Sequence, residues 1–487
     1  MAADGAAQGP EQEVNGAAVP STLDRSQFEE SFEVAAVRIP AKRTGQFLKQ
    51  LKDQLLNLPR RKNVESVAGE SANLILLSRD LGSGISELPS TERAWLESQL
   101  GSDIWLTSFT VHLGYEYMST EQILTKLLPK GIEVPGSFEQ AGHICHLNLR
   151  ESQLPYRFLI AQVILDKNKS LRTVVNKIGK IETEFRTFPM ELLAGEDDTV
   201  VKLKEQGCIF EFDFREVYWN SRLQMEHGRL IDALFFRQVI DVHGTRPVVA
   251  DATCGVGPFS IPIAKQGQQI VAHANDLNPQ SVRWLRRNAE VNKLEEVIEV
   301  EELPAYQDSL APPSTGSRLV VHAPGDAREF IRSLMEKRHP VTHSIFNLPA
   351  TGVEMLDCYR GLAFEEAGLP RPLVSCYTFS DGLADSEGEE GCVADLLRRL
   401  SASLGLPSLA LRAAGGRRLP LPSPQIDEML LGAAEEGDAA AVAVRFVRNV
   451  SPTRNMFCVC FRVPAACATS AAAPAVPCPA EKRARTA

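Results

Sequence analysis

Along the chain, apolar residues switch between a two-residue and a 3.6-residue spacing, and the switches mark out its elements. Residues 32–39 alternate as a strand, residues 44–56 carry apolar positions at helical spacing, and residues 73–77 make a second short strand. Residues 143–149 alternate well. Residues 158–165 fit either a helix packed on that strand or a buried strand of their own. From residue 246 onward the pattern becomes more regular. Residues 246–250 are an apolar, β-branched strand and residues 259–265 open a helix. Residues 269–276 are a strand ending on a carboxylate, and residues 279–292 form an amphipathic helix. Strand-like runs recur at 296–303, 319–321 and 342–347, and residues 442–447 and 456–463 read as a closing antiparallel hairpin. This alternation predicts an α/β domain over 223–465, preceded by a small mixed domain at 26–125 and a strand-rich α+β unit at 126–222.

Composition changes the picture at the ends and in one insertion. Residues 1–25 are rich in Ala, Gly and Gln, residues 466–487 are of low complexity, and both are expected to be disordered. Residues 380–440, rich in Gly, Ala and Pro with an acid cluster at 385–390, are expected to be an elaborated loop region. No apolar run approaches the ~18 residues of a membrane span, and no signal peptide or Arg-rich presequence is read, so no membrane partner is expected. The ten cysteines are scattered without a Cys-x-x-Cys pair, which predicts a reduced, intracellular protein with no metal site. A net charge of −10 weighs against a general nucleic-acid binder, although basic residues gather at 38–62 and 167–180.

Candidate chemistry centres on Asp251-Ala-Thr-Cys-Gly-Val-Gly-Pro-Phe259. Gly255 and Gly257 permit a tight turn and a close backbone approach to a ligand, and Asp276 at the end of the next strand can accept hydrogen bonds from ribose hydroxyls. A dinucleotide site wants a third glycine where Ser260 stands. The pattern therefore suits S-adenosylmethionine, which has no pyrophosphate to cradle. Asp251 is expected to shape the turn, and Asp326 after a later strand offers a second acid for an adenine amino group. Upstream, residues 217–229 gather aromatics, Asn, Arg, Glu226 and His227. On position alone, a domain junction whose polar groups tie two units together accounts for them equally well.

Longer strings narrow the reading. Val174-Val-Asn-Lys-Ile178, Phe185-Arg186, Met190-Glu-Leu-Leu-Ala-Gly195, Val217-Tyr-Trp-Asn-Ser-Arg-Leu223, Glu226-His227, Gly255-Val-Gly-Pro-Phe259, Asn275-Asp-Leu-Asn-Pro279 and Asn347-Leu-Pro-Ala350 occur in that order. Over residues 30–465 they resemble the archaeal/eukaryotic tRNA (guanine-37-N1) methyltransferase family, more weakly in the first hundred residues and in 380–440. The resemblance implies a Rossmann-like class I methyltransferase domain, an intermediate domain and an N-terminal domain that contacts the tRNA body. It implies methyl transfer from S-adenosylmethionine to N1 of guanosine 37, 3′ of the anticodon. That step supports the reading frame and opens the route to wybutosine in tRNA-Phe. A monomer in cytoplasm and nucleus is implied, with the mitochondrial matrix a further compartment of the family. Two departures stand out: Thr253-Cys254 where the family usually shows Phe-Ala, and residues 380–440.

Guanine N1 is a poor nucleophile, since it carries a proton and its lone pair is tied into the ring amide. Transfer needs proton removal, stabilisation of charge on O6 and in-line placement of the methyl. Glu226 fits the general base, Arg186 a fixed-charge donor to O6, and Asn347 a neutral contact to the base edge, and the family pattern implies the same roles. The expected cofactor residues are His227, Gly255, Gly257, Asp276, Leu277, Asp326, Ala327 and Asn347, with His227 resting on the resemblance. Tyr218 and Trp219 are candidates to hold the extruded guanine, with core packing expected for at least one. Two other readings stay open: a related aminocarboxypropyltransferase acting on tRNA, and a catalytically silent tRNA-binding protein.

Overall fold

The computed structural model describes residues 13–14, 17–18, 23–81, 88–101, 105–179, 185, 187–235, 247–266, 268–304, 316–380, 388–407, 411–413, 440–451 and 454–470. The chain divides into two compact units, one drawn from 1–138, 145–177 and 191–197, the other from 139–144, 178–190 and 198–487. These units cut across the boundaries read from the sequence at 125/126 and 222/223. Most of the strand-rich segment joins the first unit, and residues 198–222 join the second.

In the first unit, Glu30–Pro40 is the central strand of an antiparallel four-stranded sheet, between Ala72–Leu76 and Leu106–Leu113, with Val64–Ser66 at the edge. Its residues 34–37 are buried on both faces: Ala35 and Val37 pack with Phe47, Leu51 and Leu96, while Val34 and Ala36 pack with Leu76 and Val111. The helix expected over 44–56 runs only Thr44–Gln50, followed by the 3₁₀ turn Lys52–Gln54. Sheet pairing overrides helical spacing there. Leu55 bridges Leu77, and the Leu56 N–H donates to the Leu76 carbonyl at 3.0 Å. Residues 158–165, which fitted helix or strand, lie in the helix Arg157–Lys167, with Ile160, Ala161, Val163 and Ile164 in the core.

The second unit is built on a nine-stranded sheet. In spatial order its strands are Glu296–Val300, Gly316–His322, Gln268–Ala274, Val248–Asp251, His343–Phe346, Leu373–Ser380, Arg454–Arg462, Ala440–Ser451 and Leu411–Ala413. The first six run parallel, and Arg454–Arg462 is antiparallel to both its neighbours. Val248–Asp251 is buried throughout, as a central parallel strand covered on both faces must be. Chain order reverses across it, and Asp251 lies level with Ala274 on one side and Ile345 on the other. Such a switch point opens a crevice at the carboxyl ends of the strands.

Within 380–440, where a loop region is expected, the described residues include regular elements, and the rest of the segment lies outside the described residues. Gly388–Leu404 is a helix whose Cys392, Leu396, Leu400 and Leu404 form an i, i+4 stripe in the sheet's core, and Leu411–Ala413 adds an edge strand. The small residues between the apolar positions hid that stripe. Outside the main sheet, Val200–Glu205 and Cys208–Asp213 form a hairpin pinned by two asparagines of the helix Pro279–Val291 and its cap. The Ile209 N–H donates to Asn292 Oδ1 at 2.9 Å and the Glu211 N–H to Asn288 Oδ1 at 2.7 Å.

Four histidines are buried in or against this sheet. The rings of His273 and His322 are joined Nδ1 to Nε2 at 3.0 Å, His339 stacks edge-on to His273, and His343 sits on the far side of the central strand Val248–Asp251. Burial depresses all four, His322 to about 3 and His343 to about 4. Below the ordinary value of 6.5 the unfolded chain therefore binds more protons than the folded one. Their stabilisation is complete above 6.5 and is lost as pH falls through that value toward the folded pKa. Each depressed histidine contributes a slope of up to about 1.4 kcal/mol per pH unit within its window. Urea unfolding at a series of pH values from 7.5 downward checks this. His322→Gln flattens the slope between about 6.5 and 4, and an unchanged slope in that variant refutes the assignment.

Candidate active site

The aligned strand ends deliver three loops to one place. The Cys254 N–H donates to the Asn275 carbonyl at 2.9 Å, and the Asn275 side-chain amide donates to the carbonyls of Ala252 at 3.1 Å and Gly325 at 3.0 Å. Gly255 has φ +54° and its N–H donates to Asp276 Oδ2 at 2.8 Å; Asp276 Oδ1 accepts the Asn278 N–H at 2.8 Å. Burial pushes the Asp276 carboxyl up, opposed by those two backbone N–H groups. Asp251 is deeper. Its Oδ2 accepts the Ser260 hydroxyl at 2.6 Å, and burial, reinforced by the charge of Asp276, raises it to about 7.

The two glycines serve different ends. Gly257, at φ +95°, has room for no side chain, since a Cβ there would lie 2.6 Å from Leu285 Cδ1 and 2.7 Å from Ile261 Cγ1. A Cβ on Gly255 would meet nothing within 4 Å. Gly257 thus allows close packing of helices, and Gly255 borders open space. Leu277 is half-buried between Asp276 and Asn278. Asp326 caps the helix Ala327–Glu336, its Oδ1 accepting the Arg328 N–H at 2.7 Å, and Ala327 is buried at that helix's first position.

Asn347 follows the strand His343–Phe346. Its N–H donates to Thr253 Oγ1 at 2.8 Å, and its side-chain Oδ1 is buried with no partner among the described residues. Thr253, one of the two residues that break the family pattern, thereby takes up the Asn347 backbone through its hydroxyl. Cys254 is buried, as an alanine at that position would be.

Glu226 and His227 sit in the first turn of the helix Gln224–Phe235, both buried. Arg229, three residues on, grips Glu226 with two bonds, Nη2 to Oε1 at 2.6 Å and Nε to Oε2 at 2.9 Å. The Tyr377 hydroxyl donates to Oε1 at 3.2 Å, and Arg445 Nε reaches Oε2 at 3.4 Å. Burial holds the Tyr377 phenol well above its ordinary value, so it remains a proton donor. His227 bonds Glu205 Oε1 through Nδ1 at 2.5 Å, which leaves a buried Nε2 with no partner among the described residues. Phe259 faces both groups, edge-on to His227 at 4.9 Å and stacked near Tyr377 at 6.0 Å.

Of the two candidate aromatics, Trp219 belongs to the core. It packs on Phe210 and Phe212, and its Nε1 donates to Ser221 Oγ at 3.1 Å. Tyr218 is 45% exposed. Arg186 lies outside the described residues. Among the described residues no cluster of His, Cys, Asp or Glu could hold a metal ion, and no helix is long and apolar enough to cross a membrane. Arg229, Tyr377, Arg445, Glu205 and the role of Thr253 were missed in the sequence. Only Arg229 left a readable signal there, as an i, i+3 ion pair with Glu226.

Comparison with known proteins bears on what this site does. Residues 120–199 match the TYW2 N-terminal domain and residues 199–344 the TRM5/TYW2 methyltransferase domain. A tRNA (guanine(37)-N(1))-methyltransferase of Phytophthora infestans is 36% identical over 457 residues, covering 92% of this chain and 93% of the relative. One from Danio rerio is 34% identical, covering 91% of this chain and 81% of the relative. The chain belongs to the tRNA (guanine(37)-N(1))-methyltransferase family.

Trm5b from Pyrococcus abyssi, 19% identical, shares its fold, with a TM-score of 0.50 over 88% of this chain and 99% of the other. The family works with S-adenosylmethionine or a close analogue. This methyltransferase offers groups that suit such a cofactor: the Asp276 carboxylate, open space at Gly255, and the unpartnered His227 Nε2 and Asn347 Oδ1. The two glycines predict opposite phenotypes. Gly257→Ala clashes at a positive φ and costs about 2–4 kcal/mol of stability by urea unfolding. Gly255→Ala costs about 1–2 kcal/mol but puts a methyl into the open space that the sequence pattern assigns to the cofactor. It weakens S-adenosylmethionine binding in calorimetric titration by about tenfold or more, a loss of ~1.4 kcal/mol. Wild-type affinity in Gly255→Ala would remove that loop from the cofactor site.

Proposed function

We propose that this tRNA (guanine(37)-N(1))-methyltransferase carries out its transfer with Glu226, Arg186 and Asn347, and that S-adenosylmethionine is its cofactor. The observation that carries the reading is the buried, four-point grip on Glu226 beside loops that present unpartnered acceptor and ring-nitrogen atoms. When bound, S-adenosylmethionine supplies a methyl group on a sulfonium. Asp276 accepts from its ribose hydroxyls, and His227 Nε2 and the loop at Asp326–Ala327 take its remaining polar edges.

Glu226 takes the N1 proton of guanine as N1 turns nucleophilic. Its Oε1 accepts from Arg229 and Tyr377, and its Oε2 from Arg229 and Arg445. Arg445, at 3.4 Å the longest of these contacts, is the one that yields to an incoming guanine. Arg186 donates to O6, where negative charge gathers, with a guanidinium that stays charged at any working pH. Asn347 holds the base edge through the amide whose oxygen is otherwise unpartnered.

The tRNA body is held by basic surface in the first unit. Lys42, Lys49, Lys52 and Lys62 are exposed there, while Arg61 is tied to Glu65 at 2.8 Å and Arg38 to Glu70. The enzyme is proposed to act as a monomer in cytoplasm and nucleus.

Nucleoside mass spectrometry of an unmodified tRNA transcript, treated with enzyme and S-adenosylmethionine, tests the reading. A single added methyl on N1 of guanosine 37 is the expected product. An aminocarboxypropyl adduct, or no adduct, refutes it. Glu226→Gln keeps the shape of the grip but removes the proton acceptor. It lowers the rate of transfer by about 10²–10⁴-fold with cofactor affinity unchanged, and near-normal turnover would take Glu226 out of the mechanism.

A further inference from the structure

The strand Ala440–Ser451 is not a regular partner for Arg454–Arg462. Arg445 pairs with Cys458 and Phe446 with Phe457, but the next partner of Met456 is Arg448, because the register slips by one residue between Phe446 and Arg448. Met456 and Cys458 are two apart on the straight strand, so they share a face. Their opposite numbers Arg448 and Arg445, three apart, therefore share that face as well. In a regular strand a three-residue separation would turn them to opposite sides. The one-residue bulge at Val447 brings two guanidiniums to one side, a recurrent use of bulges beside functional sites. That side is the one on which Arg445 reaches Glu226.

Arg448 is under-satisfied for a half-buried guanidinium. Its Nε donates to the Asn449 carbonyl at 3.2 Å, and among the described residues it forms no salt bridge. Burial depresses it below its ordinary value, and the positive charge of Arg222 depresses it further. Arg222 has one carboxylate partner, Glu139 at 3.3 Å, and is itself 48% exposed. Tyr218, 45% exposed, and Met225, 80% exposed, flank Arg222 in the sequence. Two cations crowded together with a single shared acid, next to an exposed aromatic ring, make a place that gains by accepting an anion.

We infer that Arg448 and Arg222 form a clasp for the phosphodiester backbone of the RNA strand beside the guanosine being methylated, with the bulge at Val447 as the device that aims Arg448. The inference rests on the proposed function of the Glu226 site and deepens it. Successive cross-strand pairs on one face advance by about 6.6–6.8 Å, of the order of the step between neighbouring phosphates in a single strand. Arg448 can therefore hold a phosphate about one step along from the place where Arg445 yields to the guanine. Phosphate contacts position the strand and carry no sequence information. The clasp thus serves registration of the loop, leaving base choice to the pocket.

Binding of an unmodified, guanosine-37 tRNA transcript to the full chain is measured between about 50 and 200 mM salt for wild type, Arg448→Gln, Arg448→Lys and Arg448→Glu. Arg448→Gln weakens binding severalfold and lowers the slope of log K against log salt by about 0.7–1. Arg448→Lys keeps most of both, and Arg448→Glu weakens binding further. Calorimetric S-adenosylmethionine affinity stays at the wild-type value in all three. A wild-type salt slope and affinity in Arg448→Gln overturn the clasp. So does loss of cofactor affinity in Arg448→Gln and Arg448→Lys alike, which would mark Arg448 as a packing residue. Wild-type methyl transfer to the same transcript is run in parallel. Its absence would sink the proposed function, whereas its presence with an unaltered Arg448→Gln would sink the clasp alone.

Discussion

Everything at the candidate site depends on the level at which three parallel strands end. Asp251 stands opposite Ala274 and Ile345, so the residues after each strand emerge together and the crevice is formed by backbone before any side chain is considered. The strand before Asp251 is completely buried, and a one-residue slip of such a strand is costly because every apolar side chain would have to find a new slot. The side chain of Asn275 then ties the loop at Ala252 to the one at Gly325, and the Thr253 hydroxyl ties the former to Asn347. The layout of the candidate cofactor site is thus a consequence of register.

A second constraint governs the chemistry. A buried carboxylate is costly unless it is paired, and Glu226 meets that demand through Arg229, Arg445 and Tyr377. The same contacts that make the charge tolerable occupy the lone pairs a general base needs. The contact from Arg445 is the longest of them and can be exchanged without dismantling the bidentate Arg229 pair. A carboxylate held in this way is stable as it stands, and in the proposed mechanism it becomes accessible when a partner displaces one arginine. Because Arg445 and Arg448 share a strand and a face, the group that yields and the group proposed to meet the RNA backbone belong to one element.

Much of this was legible from local pattern. The strand, glycine turn, helix, strand and acid of residues 246–276 follow from apolar periodicity and from the special conformations open to glycine, and the structure has each of them. The helix over 388–404 was not legible, because Ala, Ser and Arg between its apolar positions diluted a stripe that only a packed sheet makes evident. The early stop of the helix at Gln50 was not legible either. Leu55 and Leu56 have helical spacing, but their backbone groups pair with a strand some twenty residues away. Trp219 and Tyr218 are adjacent in sequence with similar chemistry, and only packing separated the buried ring from the exposed one.

The sequence by itself determined the family, the parallel α/β architecture, the glycine turn and Asp276, since each is written in residues close together in the chain, where spacing and conformational preference act directly. Tertiary structure alone decided who surrounds Glu226. Tyr377 and Arg445 lie 151 and 219 residues away from it, and no local period records such a meeting. It also decided which way Arg448 faces, because a bulge is a mismatch between two strands and exists only once they are paired. Short-range geometry follows from covalent structure and side-chain shape; long-range electrostatics follows from which distant surfaces the burial of the core brings together.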